Sequence, residues 1–301
     1  MMALAGLAWC LTAFAVAAAV AHHLVAWTWR CGMIDRPQRR RIHTRPTPRG
    51  GGLAIITVAA VAAAATAWQM PGSADRIAAA SLPAIAVALV GWWDDVTPRP
   101  TSVRLAVQVV AAVVTVWLLG PMTAIASAVS VAWLVGLTNV VNFLDGSDGL
   151  AGMTGAVVAG CFGCAAAMTG ESALAAIAAA VAAGCLGFLT SNWEPARIFM
   201  GDVGSTGCGF LLAALPLAAS PEHVPVLVPV VAAAAWPLIA DAMLTLLGRL
   251  WRRENIFTPH HEHIYQRLVL GGWSHQAVAV VYGALAAGGG LVALVWLGEL
   301  S

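Results

Sequence analysis

Residues 151–189 read AGMTGAVVAGCFGCAAAMTGESALAAIAAAVAAGCLGFL. Two apolar runs, 151–168 and 172–189, are separated only by residues 169–171, and Glu171 is the single charge in the stretch. About 20 apolar residues are what a helix needs to cross a hydrocarbon core. Inside a bilayer only a helix or a closed barrel satisfies its own backbone. The stretch therefore predicts two membrane-spanning helices joined by a tight turn. The whole chain repeats the pattern. Its 301 residues are 60% hydrophobic and 10% charged, with a mean hydropathy of +0.83, where a soluble domain carries about 25% charged residues. That excludes a water-soluble globular fold, and a net charge of +1 gives no reason to expect a nucleic-acid partner.

Working outward, apolar segments predict helices over 3–29, 50–68, 77–93, 104–119, 122–141, 151–168, 172–189, 206–219, 226–247 and 276–296. The expected fold class is all-α: a polytopic membrane protein of about ten transmembrane helices, forming one domain over 1–301. Segment 206–219 is the shortest. The amino terminus is apolar through Val20 without a basic leader, so it reads as an uncleaved first helix. Trp27, Trp29, Trp68, Trp92, Trp93, Trp117, Trp251 and Trp296 fall at segment ends, as interfacial aromatics do. All 15 basic residues are Arg. With the amino terminus outside, 14 of them lie in five inside loops and only Arg76 lies outside. The positive-inside rule then predicts both termini outside the cytoplasm. The outside connections 69–76, 120–121, 169–171 and 220–225 are short, whereas the inside ones are long and polar. Loops of that kind carry chemistry, so the working face is expected to be cytoplasmic. Cys161 and Cys164 have C-x-x-C spacing, but in an Ala-rich helix with no second ligand pair they read as small packing residues rather than zinc ligands.

The five inside loops differ in chemistry. The first, 35–52, holds Asp35, the Arg39–Arg41 run, His43, Arg45, Pro46, Pro48, Arg49 and Gly50–Gly52. A basic anchor for anionic lipid explains the Arg run. Glycines at a helix start also suit close approach to an anion, and both readings stand on these residues alone. The second loop opens on Asp94–Asp95, either a polar helix end or oxygen ligands for a hard divalent cation. The third, Asn139 to Leu150, concentrates Asn139, Asn142, Asp145 and Asp148. Acids at a membrane edge are costly and usually functional, and Asn142 and Asp145 share a face if the helix persists. In the fourth, Phe199-Met-Gly-Asp202-Val-Gly-Ser205-Thr206, Ser205 or Thr206 is placed to cap the next helix. The fifth, 252–267, holds Thr258–Pro259 at the expected start of a short helix, then His260, His261, Glu262, His263 and Arg267. The His-Glu-x-x-His of a metalloprotease is absent, and this set suits anionic oxygens. Asp241 lies inside the ninth segment with no visible partner. His22 and His23 read as packing or interface residues. Carboxylates for Mg2+ beside cations for phosphate describe a diphosphate site at a membrane face.

These motifs, in this order, resemble the polyprenyl-phosphate N-acetylhexosamine-1-phosphate transferase family over nearly the whole chain. Pro46-Thr-Pro-Arg-Gly-Gly-Gly52 is similar to its first motif, and Asp94–Asp95 to its paired aspartates. Asn142-Phe-Leu-Asp-Gly-Ser-Asp-Gly-Leu150 resembles its N-x-x-D-G-x-D-G-L motif, and Gly201-Asp-Val-Gly-Ser205 its G-D-x-G-S motif. Pro237 to Asp241 resembles a further element before the last loop. The last loop departs from the Pro-x-His-His-His-Phe-Glu of the lipid I synthases. It is similar to the branch that starts O-antigen or related surface polysaccharides, within lipopolysaccharide biosynthesis. The resemblance implies transfer of a sugar 1-phosphate from a UDP-N-acetyl sugar to undecaprenyl phosphate at the inner membrane, with release of UMP. It implies catalytic roles for Asp94, Asp95 and Asp202. It implies Mg2+, with Mn2+ as a substitute, on Asp202 and Asn142 near Asp94 and Asp95. Substrate contacts follow at His43, Arg45, Arg49, Asp145, Asp148, His260, His263 and Arg267. The resemblance also allows a homodimer.

Two rival classes fit less well. A transporter would place charges near the bilayer midplane in broken helices, and only Asp241 lies clearly within a segment. An intramembrane aspartyl protease would pair aspartates inside helices, one after Gly-x-Gly, and this chain has Phe199-Met-Gly before Asp202.

Overall fold

The computed structural model of the chain describes residues 2–37, 45–255 and 261–300. His43 and His260 lie outside them, as do Thr258 and Pro259. The first helix, α1 (Met2–Arg30), leads into a two-stranded antiparallel ribbon. In it β1 (Ile34–Asp35) pairs with β2 (Thr47–Pro48), with Ile34 opposite Pro48 and Asp35 opposite Thr47. Next come α2 (Leu53–Gln69), a 3-10 turn (Pro71–Ser73), α3 (Ala74–Val96), α4 (Thr101–Leu118) and α5 (Ala124–Leu144). The rest comprises α6 (Leu150–Met168), α7 (Ser172–Asn192), α8 (Gly201–Leu217), α9 (Val224–Ala234), α10 (Trp236–Trp251), α11 (Ile264–Leu270) and α12 (His275–Leu300).

Every expected segment contains a helix. Seven are long and apolar enough to cross a membrane: α1, α3 with its 3-10 turn, α4, α5, α6, α7 and α12. The other three expected segments are α2 and α8, at 17 residues each, and a ninth that differs from expectation. Instead of one helix over 226–247, α9 and α10 meet at a 70° bend. Pro237 opens α10, and a proline there removes an N–H and excludes the carbonyl four residues back. The chain cannot carry one straight helix through that point.

The shortest segment is the core. Every residue of α8 from Val203 to Leu217 is buried, and α3 and α5 pack on it. A helix that is apolar all round is an interior helix, so its modest length reflects enclosure by protein rather than a weak span. Between helices in lipid, close van der Waals packing replaces the hydrophobic effect. The small residues here supply that fit: a Cβ added at Gly207 would lie 2.6 Å from the Ala88 side chain of α3.

The two ends of the bundle have different chemistry. At one end, the three connections carrying Arg76, Glu171 and Ser220–His223 are tied together. Arg76 Nη1 donates to Ser220 Oγ at 3.0 Å, the Ser220 N–H donates to Glu171 Oε1 at 2.7 Å, and His223 Nδ1 lies 3.0 Å from the same oxygen. Burial raises the Glu171 carboxyl, but its bonds from His223 and Ser220 and the Arg76 charge hold it below the usual range. The described residues of the five polar loops gather at the opposite end.

Candidate active site

The site is organised around the first turn of α8. Gly201 has φ +74°, and a Cβ there would lie 2.6 Å from Asp95 Oδ2. This close approach lets Asp95, at the end of α3, accept the N–H of Asp202 at 3.1 Å and of Val203 at 3.0 Å. Both oxygens of a carboxylate that is 2% exposed thus cap the orphan amides of a helix start. Ser205 and Thr206, expected as caps, instead donate backward to the carbonyls of Gly201 and Asp202. The cap comes from another helix because α3 crosses there.

The glycine run of the first loop has a structural task. Gly51 N–H donates to Phe199 O at 2.9 Å and Gly52 N–H to Met200 O at 2.8 Å. A Cβ on Gly52 would stand 2.2 Å from Gly204 Cα. The start of α2 is therefore seated backbone to backbone on the start of α8, and two amides that could have met an anion are already used. Arg49 is left at the edge of the site, close enough for its charge to act on Asp95. Arg45 is exposed.

Asp202 points away from the cap, into a charged centre. Arg104 Nη1, in the first turn of α4, pairs with Asp202 Oδ2 and lies 3.3 Å from Asp94 Oδ2. Asn142 Nδ2, near the end of α5, donates to Ser205 Oγ at 2.9 Å and to Asp202 Oδ1 at 3.3 Å. Asp94 also accepts the Arg99 N–H at 2.6 Å, and the Arg99 guanidinium lies 3.7 Å over the Trp93 ring. The Nε atoms of Arg49, Arg99 and Arg104 are buried and lack a hydrogen-bond partner among the described residues. Buried donors are normally paired, so the unpaired Nε groups of Arg104, which contacts Asp94 and Asp202, and of Arg49, whose charge reaches Asp95, mark a place for anionic oxygens. Behind it, Asn139 Nδ2 donates to Gln108 Oε1 at 2.7 Å, one turn further into α5 and α4. Sequence reasoning missed Arg104. Its signal was a lone charge at the mouth of an apolar segment, ten residues after Asp94.

Asp145 and Asp148 sit in the turn between α5 and α6. The helix does not persist through Asp145, which closes α5, so Asn142 and Asp145 do not share a helical face. Asp148 Oδ2 accepts the Ala196 N–H at 2.9 Å, and its own N–H donates to His275 Nδ1 at 3.1 Å. It knits the third and fourth loops to the start of α12. Glu194 does the same, accepting the Gln276 N–H at 2.9 Å.

The last loop is anchored by Asp241. Its carboxylate accepts the N–H groups of Ile264 at 2.9 Å and Tyr265 at 3.0 Å, and the Tyr282 hydroxyl at 2.6 Å. His263 Nδ1 lies 3.1 Å away. So the acid that seemed isolated in sequence caps α11 from α10. His263 is the N-cap of α11, 4% exposed, and belongs to this anchor. Burial also pushes the Tyr265 phenol upward, so it stays a protonated donor. Arg249 binds Glu262, Glu254 and the Asn255 carbonyl, and Arg252 binds Glu262 and Glu254, which clasps the loop across its described ends. Arg267 is exposed on a cleft of about 600 Å³ shared with Thr245, Arg252 and His261.

Among the described residues, no three His, Cys, Asp or Glu side chains converge as a metal cage. What converges on Arg104 is two carboxylates, Asp94 and Asp202, with the Asn142 amide beside them. Mg2+ is commonly held by one or two carboxylates, with phosphate oxygens and water completing six positions. The donor set fits that mode. Asp95 fits it poorly, because its oxygens already serve the α8 amides.

Fold and site together define a multi-pass membrane enzyme with an acidic, arginine-lined centre at one end of its bundle. The profile of glycosyl transferase family 4 matches residues 77–220. The chain is 29% identical over 280 residues to the probable undecaprenyl-phosphate N-acetylglucosaminyl 1-phosphate transferase of Bacillus subtilis, covering 84% of this chain and 74% of that protein. It is 32% identical over 295 residues to the decaprenyl-phosphate N-acetylglucosaminephosphotransferase of Mycobacterium tuberculosis, covering 84% and 72%. Against the phospho-N-acetylmuramoyl-pentapeptide-transferase of Corynebacterium diphtheriae, a 34% identity spans 119 residues, 38% of this chain and 30% of that protein. The chain belongs to the polyprenyl-phosphate N-acetylhexosamine-1-phosphate transferases of glycosyl transferase family 4.

Proposed function

We propose that the protein transfers N-acetylhexosamine 1-phosphate from a UDP-sugar to undecaprenyl phosphate, in a Mg2+-dependent reaction on the cytoplasmic face of the inner membrane. The observation that carries this reading is the convergence of Asp94 and Asp202 on Arg104, with the Asn142 amide on Asp202 and the buried Arg104 Nε left unpaired among the described residues. An oxygen of the lipid phosphate attacks the β-phosphorus of the UDP-sugar. The bond to the bridging oxygen breaks, and UMP carries that oxygen away. A phosphate monoester has its second pKa near about 6 and is already mostly ionised at neutral pH, so no strong base is needed. The difficulty is bringing two anions together, and preorganised positive charge answers it.

Arg104, Arg49 and Arg99 would bind phosphate oxygens with their free N–H groups. Asp202, Asp94 and Asn142 would hold Mg2+, which neutralises charge on the diphosphate. Asp95 keeps the α8 start, and with it Asp202, in place. N-acetylglucosamine is the proposed sugar, supported by the names of the two relatives matched over most of the chain. Likeness of the last loop supports a role in starting O-antigen or a related surface glycan. The test is UMP release by purified protein with undecaprenyl phosphate, Mg2+ and a panel of UDP-N-acetyl sugars. Release that needs lipid and metal and is lost in Asp202→Asn is expected. A folded protein that neither releases UMP nor binds it in calorimetry overturns the proposal.

A further inference from the structure

The last loop and the turn after α5 meet at one side chain that no motif announces. Among the described residues, Tyr265 is the largest side chain that is fully buried, at 1% exposure. Its N–H is held by Asp241 Oδ2 at 3.0 Å. Its hydroxyl donates to Phe143 O at 3.1 Å. A Cβ added at Gly146 would lie 2.1 Å from that hydroxyl oxygen. Gly146 lacks a left-handed φ, so the space taken by Tyr265, rather than the backbone, demands a glycine. The His263 ring stacks on Tyr265 at 5.9 Å and lies 5.9 Å from the Phe143 ring. The segment from Phe143 to Gly146 carries Asp145 and directly follows Asn142. One phenol from the last loop therefore clamps the turn that aims the Asn142 amide at Asp202.

We propose that Tyr265 is a positioning residue that couples the last loop to the Asn142–Asp145 turn. The last loop then also sets the geometry of the phosphate-binding centre. For its catalytic consequence this rests on the transferase reading above. The path is short: Asp241 fixes the start of α11, α11 fixes the phenol, and the phenol fixes the Phe143 carbonyl beside Asn142. A contact of 2.1 Å cannot be relaxed without a shift of about 1 Å, and a displacement of that size at a reacting centre costs about 100-fold in rate.

The steric relation makes a suppressor test available in the full-length protein. Gly146→Ala, Tyr265→Phe and the double variant are compared for kcat and KM of UMP release, and for tryptic cleavage after Arg252 and Arg253. Gly146→Ala is expected to lower kcat about 100-fold with a smaller change in KM, and to speed cleavage of the loop far from it in sequence. Tyr265→Phe alone loses one hydrogen bond and about fivefold in kcat. The double variant removes the clashing oxygen and recovers at least about tenfold over Gly146→Ala, the non-additivity expected of residues in contact. If Gly146→Ala does not fold but the double variant does, that rescue is the same result. Losses that multiply, a double variant no better than Gly146→Ala, or an unperturbed Gly146→Ala overturn the coupling. If the wild type releases no UMP, the transferase reading fails by itself. The proteolysis arm still decides the coupling, for or against, by whether protection returns in the double variant.

Discussion

Arg104 is the residue on which the acidic centre depends. It stands between Asp94 and Asp202, and truncating one partner of a part-buried charge pair leaves the other charges uncompensated. Arg104→Gln is expected to reduce kcat of UMP release by about 100-fold to about 1,000-fold, the scale for losing one charge-stabilising donor. With two carboxylates released, Mg2+ should be held more tightly, so half-maximal rate comes at lower Mg2+. An Arg104→Gln enzyme with wild-type turnover, or one needing more metal, would contradict this role. Residue identities were partly legible beforehand. Asp94, Asp202 and Asn142 were nameable because charge and amide side chains at a membrane edge demand a reason. Arg104 was not, since nothing in sequence says which of the arginines faces the acids.

At the scale of elements, the two neighbouring aspartates separate. Asp95 caps α8, whereas Asp94 faces Arg104. Asp95→Asn is expected to lower thermal stability by about 1–2 kcal/mol, because a cap acceptor is replaced by a group that partly donates. Asp94→Asn should leave the melting temperature nearly unchanged and lower turnover without reshaping the pH–rate profile. A profile that loses its acidic limb would make Asp94 a base, and equal melting temperatures for both variants would remove the capping role of Asp95. Helix existence was readable from apolar length alone. The bend between α9 and α10 was not, although Pro237 was in plain view. A proline permits either a kink within one span or a break between two helices, and the surrounding packing selects.

For the whole molecule, the arrangement of the ends is the main result. The one arginine assigned outside, Arg76, lies in a polar knot at one end, while the acidic centre and its arginines lie at the other. Arg76 and the acidic centre thus lie at opposite ends, and which end faces the cytoplasm is a matter for labelling. Cys31 is exposed just after α1 at the site end. A membrane-impermeant maleimide is expected to label it in inverted vesicles and not in intact cells, with the signal lost in Cys31→Ser. Labelling of intact cells would place the site outside and overturn the proposed orientation.

By itself the sequence determined the class of fold, the helical segments and most residues of the centre. Hydrophobic length and charge sidedness are properties of the chain against the bilayer, and they need no tertiary information. Tertiary structure alone decided which polar group serves which. It turned the glycine run from a ligand cradle into a helix seat, gave Asp241 the start of α11 to hold, made Asp95 a cap, and brought Tyr265 against Gly146. Each of these is a contact between segments far apart in sequence. Hydrogen bonds and close packing act over a few ångströms, so these roles exist only once the bundle has brought the partners together.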